Sequence, residues 1–140
     1  AASLVTAGVP FGASHGIGHV LGGTAGVPHG YTSCVMLPFV LEHNDTVLSQ
    51  HQRDCIVGAF GGSAGDRPSL AVGGFIESLG LPRSLEAVGV TPAMYSDIGR
   101  LAMKDQWVLT NPRKISGPED VIGILRAASQ AGGEGAAARL

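Results

Sequence analysis

The sequence predicts an all-α fold: one bundle of six or seven short helices. Two observations carry this. Apolar residues recur at helical spacing in short segments, and glycine (22 residues) or proline (8 residues) punctuates nearly every segment boundary. β-Branched residues are scattered and aromatic residues make up only 5% of the chain, low for an all-β domain. There is no internal repeat, and 140 residues suffice for a core. Residues 1–130 are expected to form one helical domain, and the Gly/Ala-rich residues 131–140 a flexible tail.

The first helix is expected from Gly12 to about Leu21. Gly16 and Gly18 are poor helix formers, so their presence implies that another backbone or a ligand approaches closely. Gly22–Pro28 reads as a loop; it lacks the Lys-Ser/Thr of a phosphate-binding loop and follows no strand, so a plain turn is the better reading. Gly30–Glu42 is hydrophobic nearly all round, as a central buried helix should be, with a kink expected at Pro38. Asn44 and Asp45 can cap a further helix to about Gly58. After a loop over Gly61–Arg67, Pro68–Leu79 suits an amphipathic helix burying Leu70, Phe75, Ile76 and Leu79 and ended by Gly80. Leu81–Leu85 is a connector. Thr91-Pro92 is an N-cap followed by proline at the first helical position, opening a helix to about Met103. Asn111-Pro112-Arg113 is a turn. Ser116-Gly-Pro-Glu119 resembles a capping box before a last helix through Val121, Ile122, Ile124 and Leu125.

Hydrophobic residues are 44% of the chain and charged residues only 14%. So little charge implies that a partner domain or a second subunit covers part of the surface. A net charge of -2 without a basic cluster argues against nucleic-acid binding. No apolar run reaches the ~20 residues a membrane span needs, and no basic segment marks a signal peptide. Cys34 and Cys55 have neither zinc-knuckle nor redox spacing and read as reduced, buried core residues of an intracellular, cytoplasmic protein. The chain opens on Ala rather than Met, which fits either a segment of a longer protein or a removed initiator.

Chemistry concentrates in residues 14–30, which hold three of the five histidines. His15 and His19 are four apart and so project from one helix face. His29 falls at the start of the next helix. Imidazole suits Zn(II) and Fe(II), and an i,i+4 pair is a common way to place two nitrogens on one ion. His29 could be a third ligand, or His19 could stand off the metal and handle protons. Spacing alone leaves open a set of ordinary hydrogen-bonded histidines. His43 and His51 read as surface or capping residues. Asp97, Asp105, Glu119 and Asp120 show no paired-carboxylate logic and read as caps and solvated positions. Trp107 is expected in the core or an interface, and Arg113 as a helix cap or interdomain contact.

Several blocks together are more specific. His15-x-x-x-His19-x-Leu21-Gly22, Pro28-His29-Gly30 and Met36-Leu37-Pro38 leading to Asn44 closely resemble the iron-containing (group III) alcohol dehydrogenases. So do Leu79-Gly80-Leu81-Pro82, Leu85, Val88-Gly89-Val90 and Asn111-Pro112-Arg113, in the same order over residues 1 to about 130. His19-Val20-Leu21-Gly22-Gly23-Thr24 looks most like the maleylacetate reductase branch, which reduces maleylacetate with NAD(P)H.

The resemblance implies the fold of that family's C-terminal helical, metal-carrying domain, which shares its broad architecture with dehydroquinate synthase. It implies His15 and His29 as metal ligands for Fe(II) or Zn(II), completed by an Asp and a His from earlier in the family's helical domain. His19 matches the histidine beside substrate and nicotinamide, with a catalytic and a cofactor-contacting role. These 140 residues hold no counterpart of the nucleotide-binding domain and no Asp-x-x-x-His ahead of His15. Where the branch dispenses with metal, His15 and His29 would bind substrate instead.

The function so implied is that of a C-terminal part of an NAD(P)-dependent oxidoreductase acting on a carbonyl or oxo-acid, inactive alone. Its partner would be the missing N-terminal domain or a second copy in a homodimer. The alternatives are a free-standing helical interaction module and a dehydroquinate-synthase-type lyase. Pro28-His29-Gly30 and Asn111-Pro112-Arg113 favour the dehydrogenase over the lyase.

Overall fold

A computed structural model describes residues 8–137, with side chains described through Ser129. Among the described residues every regular element is helical. The tail expected over 131–140 lies partly outside them, and the opening Ala-Ala-Ser-Leu-Val lies wholly outside. The elements are α1 (Ala13–Ala25), α2 (His29–Asn44), α3 (Gln50–Ala59), α4 (Pro68–Ser78), α5 (Tyr95–Ala102), α6 (Gln106–Leu109) and α7 (Pro118–Ala137). Short 3-10 turns occupy Asp45–Val47, Glu86–Val88 and Pro92–Met94.

α2 is the central helix expected from its apolar surface: it packs against α1, α4 and α7. Pro38 is buried within it and does not end it. Ile17 and Leu21 of α1, Val35 and Met36 of α2, Ile98 of α5 and Leu125 of α7 are fully buried in one core. Each such side chain contributes about 1.5–3 kcal/mol relative to exposure.

Several boundaries depart from the sequence reading for local reasons. α1 runs through Gly22, Gly23 and Thr24 to Ala25, so the expected loop shrinks to Gly26–Pro28. The Thr24 hydroxyl donates to the Val20 carbonyl at 2.7 Å, and Gly26 takes the left-handed conformation (φ 65) that turns the Val27 N–H back to the Leu21 carbonyl, which also accepts the Gly26 N–H. Asn44 and Asp45 do not cap α3. Ser49 does, in a reciprocal capping box with Gln52. Asp45 instead pairs with Arg53. At the start of α7 no reciprocal box is seen; Asp120 rather than Glu119 reaches back, its carboxylate accepting the Ser116 N–H at 2.7 Å. Thr91 makes no side-chain cap, and its helix opens through the 3-10 turn.

α4 is amphipathic and buries Ile76 as expected, but not the other three residues expected with it. Val72, Gly73 and Ile76 face inward, whereas Leu70, Phe75 and Leu79 are 65%, 44% and 56% exposed. The cysteines also correct the reading. Both are free, but Cys55 is exposed beside His51, and Cys34 is only half-buried, its thiol donating to the Gly30 carbonyl at 3.3 Å.

Asn111 ties the bundle together. Its Oδ1 accepts the Ala13 N–H at 3.1 Å, one of the orphan donors at the start of α1, where Gly12 has no side chain to offer. Its Nδ2 donates to Asn44 Oδ1 and to the Arg113 carbonyl, both at 2.7 Å. Arg113 caps α2 as expected, Nη1 donating to the His43 carbonyl at 2.9 Å.

His43 is not a simple surface residue. It is half-buried, and its Nε2 is buried without a hydrogen-bond partner among the described residues. Burial first, and the Arg113 charge second, lower its pKa; Asp120 opposes them. The unfolded chain therefore protonates this ring at a pH where the folded chain does not. Folding stability is unaffected above the unfolded value of ~6.5 and falls as pH drops through the window below it. Denaturation midpoints between pH 8 and pH 5 should show this loss, and His43→Gln should flatten the profile.

Candidate functional site

The site is built where α1, α2 and α6 meet, and two glycines make the meeting possible. A Cβ on Gly16 would stand 2.7 Å from Val108 Cγ2 and 2.9 Å from both the Val108 nitrogen and Asp105 Oδ1. A Cβ on Gly18 would stand 2.9 Å from Thr32 Oγ1. Gly16 thus admits α6, and Gly18 admits the first turn of α2. The close approach expected at these two positions is present at both.

Thr32 is buried and its hydroxyl donates to the His29 carbonyl at 2.8 Å, which fixes the turn that carries His29. The three histidines of residues 14–30 then converge. Ring centroids are 4.3 Å apart for His15 and His19, 5.5 Å for His15 and His29, and 6.3 Å for His19 and His29. His15 is half-buried beneath a stacked Phe11 ring at 4.2 Å, and Trp107 meets Phe11 edge-on at 5.1 Å. Trp107 is half-buried and forms part of this aromatic wall. His19 and His29 are exposed on the open side.

Burial lowers the His15 pKa, and the adjacent His19 and His29 lower it further against a smaller opposing pull from Asp105. His15 is therefore held neutral, the form that can bind a metal. Two imidazoles bonding one ion at ~2.0–2.1 Å have ring centres about 5 Å apart, which the His15–His29 spacing suits. Among the described residues no group of three His, Cys, Asp or Glu side chains is placed to hold a metal ion. The fit thus rests on the spacing of the His15 and His29 rings alone.

His19 has a different partner. Its Nδ1 lies 2.8 Å from Asp105 Oδ2, and Asp105 Oδ1 accepts the Trp107 N–H at 2.8 Å, capping α6. The cap was expected of Asp105; the histidine contact was not. An Asp before a short helix carries no sign of a partner 86 residues away. Phe11 was missed for the same reason: nothing in its sequence neighbourhood marks a ring that will cover His15.

Residues 1–129 match the model of the Fe-containing alcohol dehydrogenase family, C-terminal. The chain belongs to the iron-containing alcohol dehydrogenase family. It is 37% identical to Dehydrogenase ALT3 of Alternaria alternata over 132 aligned residues, covering 82% of this chain and 34% of the relative. It is 33% identical to Maleylacetate reductase 1 of Cupriavidus pinatubonensis over 104 aligned residues, covering 74% of this chain and 28% of the relative. Among solved structures, a 1,3-propanediol oxidoreductase superposes with a TM-score of 0.75 at 26% identity over 84% of this chain and 32% of that one. The chain therefore spans about a third of the length of these members of the family. The helical fold expected of an iron-containing alcohol dehydrogenase C-terminal domain is the fold observed.

Proposed function

We propose that this chain is the metal- and substrate-carrying part of an NAD(P)-dependent oxidoreductase that reduces a carbonyl or oxo-acid. The observation that carries the reading is the convergence of His15, His19 and His29 on one face built by two glycine-permitted helix contacts. His15 and His29 would hold Fe(II) or Zn(II) as two of its ligands. Bound there, the metal supplies Lewis-acid polarisation of a substrate oxygen, while NAD(P)H in the longer protein supplies hydride. His19 stands beside the substrate and contacts the cofactor. Phe11 and Trp107 shield His15 from water and keep its ring fixed by stacking.

The remaining ligands and the nucleotide site belong to a part of the protein beyond these residues, so the chain alone is inactive in this reading. That part, or a second copy, covers the exposed Leu70, Phe75 and Leu79. The free cysteines suit a cytoplasmic setting. Among the described residues no helix is long and apolar enough to cross a membrane. The maleylacetate reductase branch is the substrate class that the stretch after His19 favours, supported by the relative of that name.

Calorimetric titration of Zn(II), and of Fe(II) without oxygen, tests the ligand assignment. The exposed His51–Cys55 pair, 3.6 Å apart, can itself take Zn(II), so His51→Ala serves as the reference protein. Added to it, His15→Ala and His29→Ala should each weaken binding by more than the ~10–100-fold that loss of an outer-shell partner costs. Unchanged affinity in both would overturn the assignment.

A further inference from the structure

We propose that Asp105 is a positioning residue that locks His19 in the Nδ1–H tautomer, leaving Nε2 as a hydrogen-bond acceptor. The functional weight of that tautomer rests on the reading of His19 as the residue beside substrate; the lock itself does not.

Three observations converge on Asp105. Its Oδ2 faces His19 Nδ1 at 2.8 Å, so an ionised carboxylate, which can only accept, requires the proton to sit on Nδ1. Its Oδ1 is engaged by the Trp107 N–H at 2.8 Å, so the carboxylate is held at both oxygens and cannot swing away without uncapping α6. Gly16, between the two histidines of α1, leaves the gap in which this carboxylate sits; a side chain there would meet Oδ1 at 2.9 Å. The same stretch of α1 therefore supplies both the imidazole and the opening for its partner.

Stability is a poor reason for such a pair. The His19 side chain is 42% exposed and that of Asp105 17%, and ion pairs this open to water contribute little. Its consequence is orientation. The nitrogen turned away from Asp105 carries a lone pair, and a neutral ring of that tautomer accepts a hydrogen bond from the O–H of the alcohol that carbonyl reduction forms rather than donating one to the carbonyl oxygen. An Asp fixing a histidine tautomer from the far nitrogen is an arrangement known to govern catalysis elsewhere, where exchanging Asp for Asn leaves the geometry but inverts the tautomer.

The test needs neither metal nor cofactor. The metal-free full chain, labelled with ¹⁵N at histidine and held near pH 8.5, is read by long-range ¹H–¹⁵N correlation. His19 should show a protonated Nδ1 and an unprotonated Nε2. In Asp105→Asn one oxygen remains for the Trp107 N–H and the amide NH2 turns to His19, so the two nitrogen signals should exchange character. In Asp105→Ser the cap survives without the histidine contact, and His19 should revert to a solvent-like mixture. His51 should be unchanged throughout. A His19 protonated at Nε2 in the unmodified chain overturns the proposal, as does a pattern indifferent to both substitutions. Failure of the metal titration leaves this result standing, so the two readings fall separately.

Discussion

Asn111→Ala is expected to lower the unfolding free energy by about 3–5 kcal/mol. The magnitude comes from the groups that the truncation orphans. Asn111 is buried and engages four groups: the Ala13 N–H, both polar ends of the Asn44 amide and the Arg113 carbonyl. Asn44 is buried as well, so its amide cannot turn to solvent. Each buried polar group left unpaired costs ~1–3 kcal/mol, and two or more are left here. Asn44→Ala should also destabilise, but the double variant should cost less than the sum, because the second truncation removes a group already orphaned. Midpoints of urea unfolding for the four proteins give the cycle directly. An additive result would show that the two amides act independently, contrary to their 2.7 Å contact.

Glycine-to-alanine substitution should change sign along α1. Gly23 is exposed and a Cβ there meets nothing within 4 Å. Gly23→Ala should therefore stabilise the chain by close to the intrinsic helix-propensity gain of ~0.8–1.0 kcal/mol. Gly16→Ala has the same gain available but sets a methyl 2.9 Å from the Val108 backbone nitrogen, which cannot rotate aside. Overpacking of this kind costs ~1–3 kcal/mol, which outweighs the gain once α6 must shift. The expected net loss is up to about 2 kcal/mol. Displacement of α6 also carries Asp105 away from His19, so the histidine spectrum should change in Gly16→Ala and not in Gly23→Ala. Thermal melts and that spectrum, taken together, check both parts.

Legibility in the sequence tracks the range of the interactions involved. The class of α1–α5 and α7 was readable because helix periodicity and glycine or proline punctuation act within a few residues, whereas the four-residue α6 went unread. α2 was readable as the central helix because its surface is apolar all round, and His15, His19 and His29 as a group because they are close in sequence. Gly16 and Gly18 were readable as contact points because glycine is costly inside a helix without a reason. The errors share the opposite property. α4 was assigned its buried face by counting apolar residues, yet Leu70, Phe75 and Leu79 point outward while Val72, Gly73 and Ile76 are buried. Asn44 looked like a cap for the next helix but serves a residue 67 positions later. Asp105 looked solvated, and its histidine partner is 86 positions earlier. No local pattern encodes such pairings.

The clasp made by Asn111 also bears on the order in which this molecule can assemble. The contact of α1 with α2 joins neighbours in the chain and closes a short loop. The start of α1 is completed by an amide 98 positions away, and the His19 partner arrives from 86 positions away. Loop-closure entropy grows only slowly with length, but it must be met before these distant contacts return anything. The helical hairpin carrying all three imidazoles is therefore built from local contacts, whereas the orientation of His19 depends on a distant one. Chains caught part-way would hold the three histidines close together but without the Asp105 contact that orients His19.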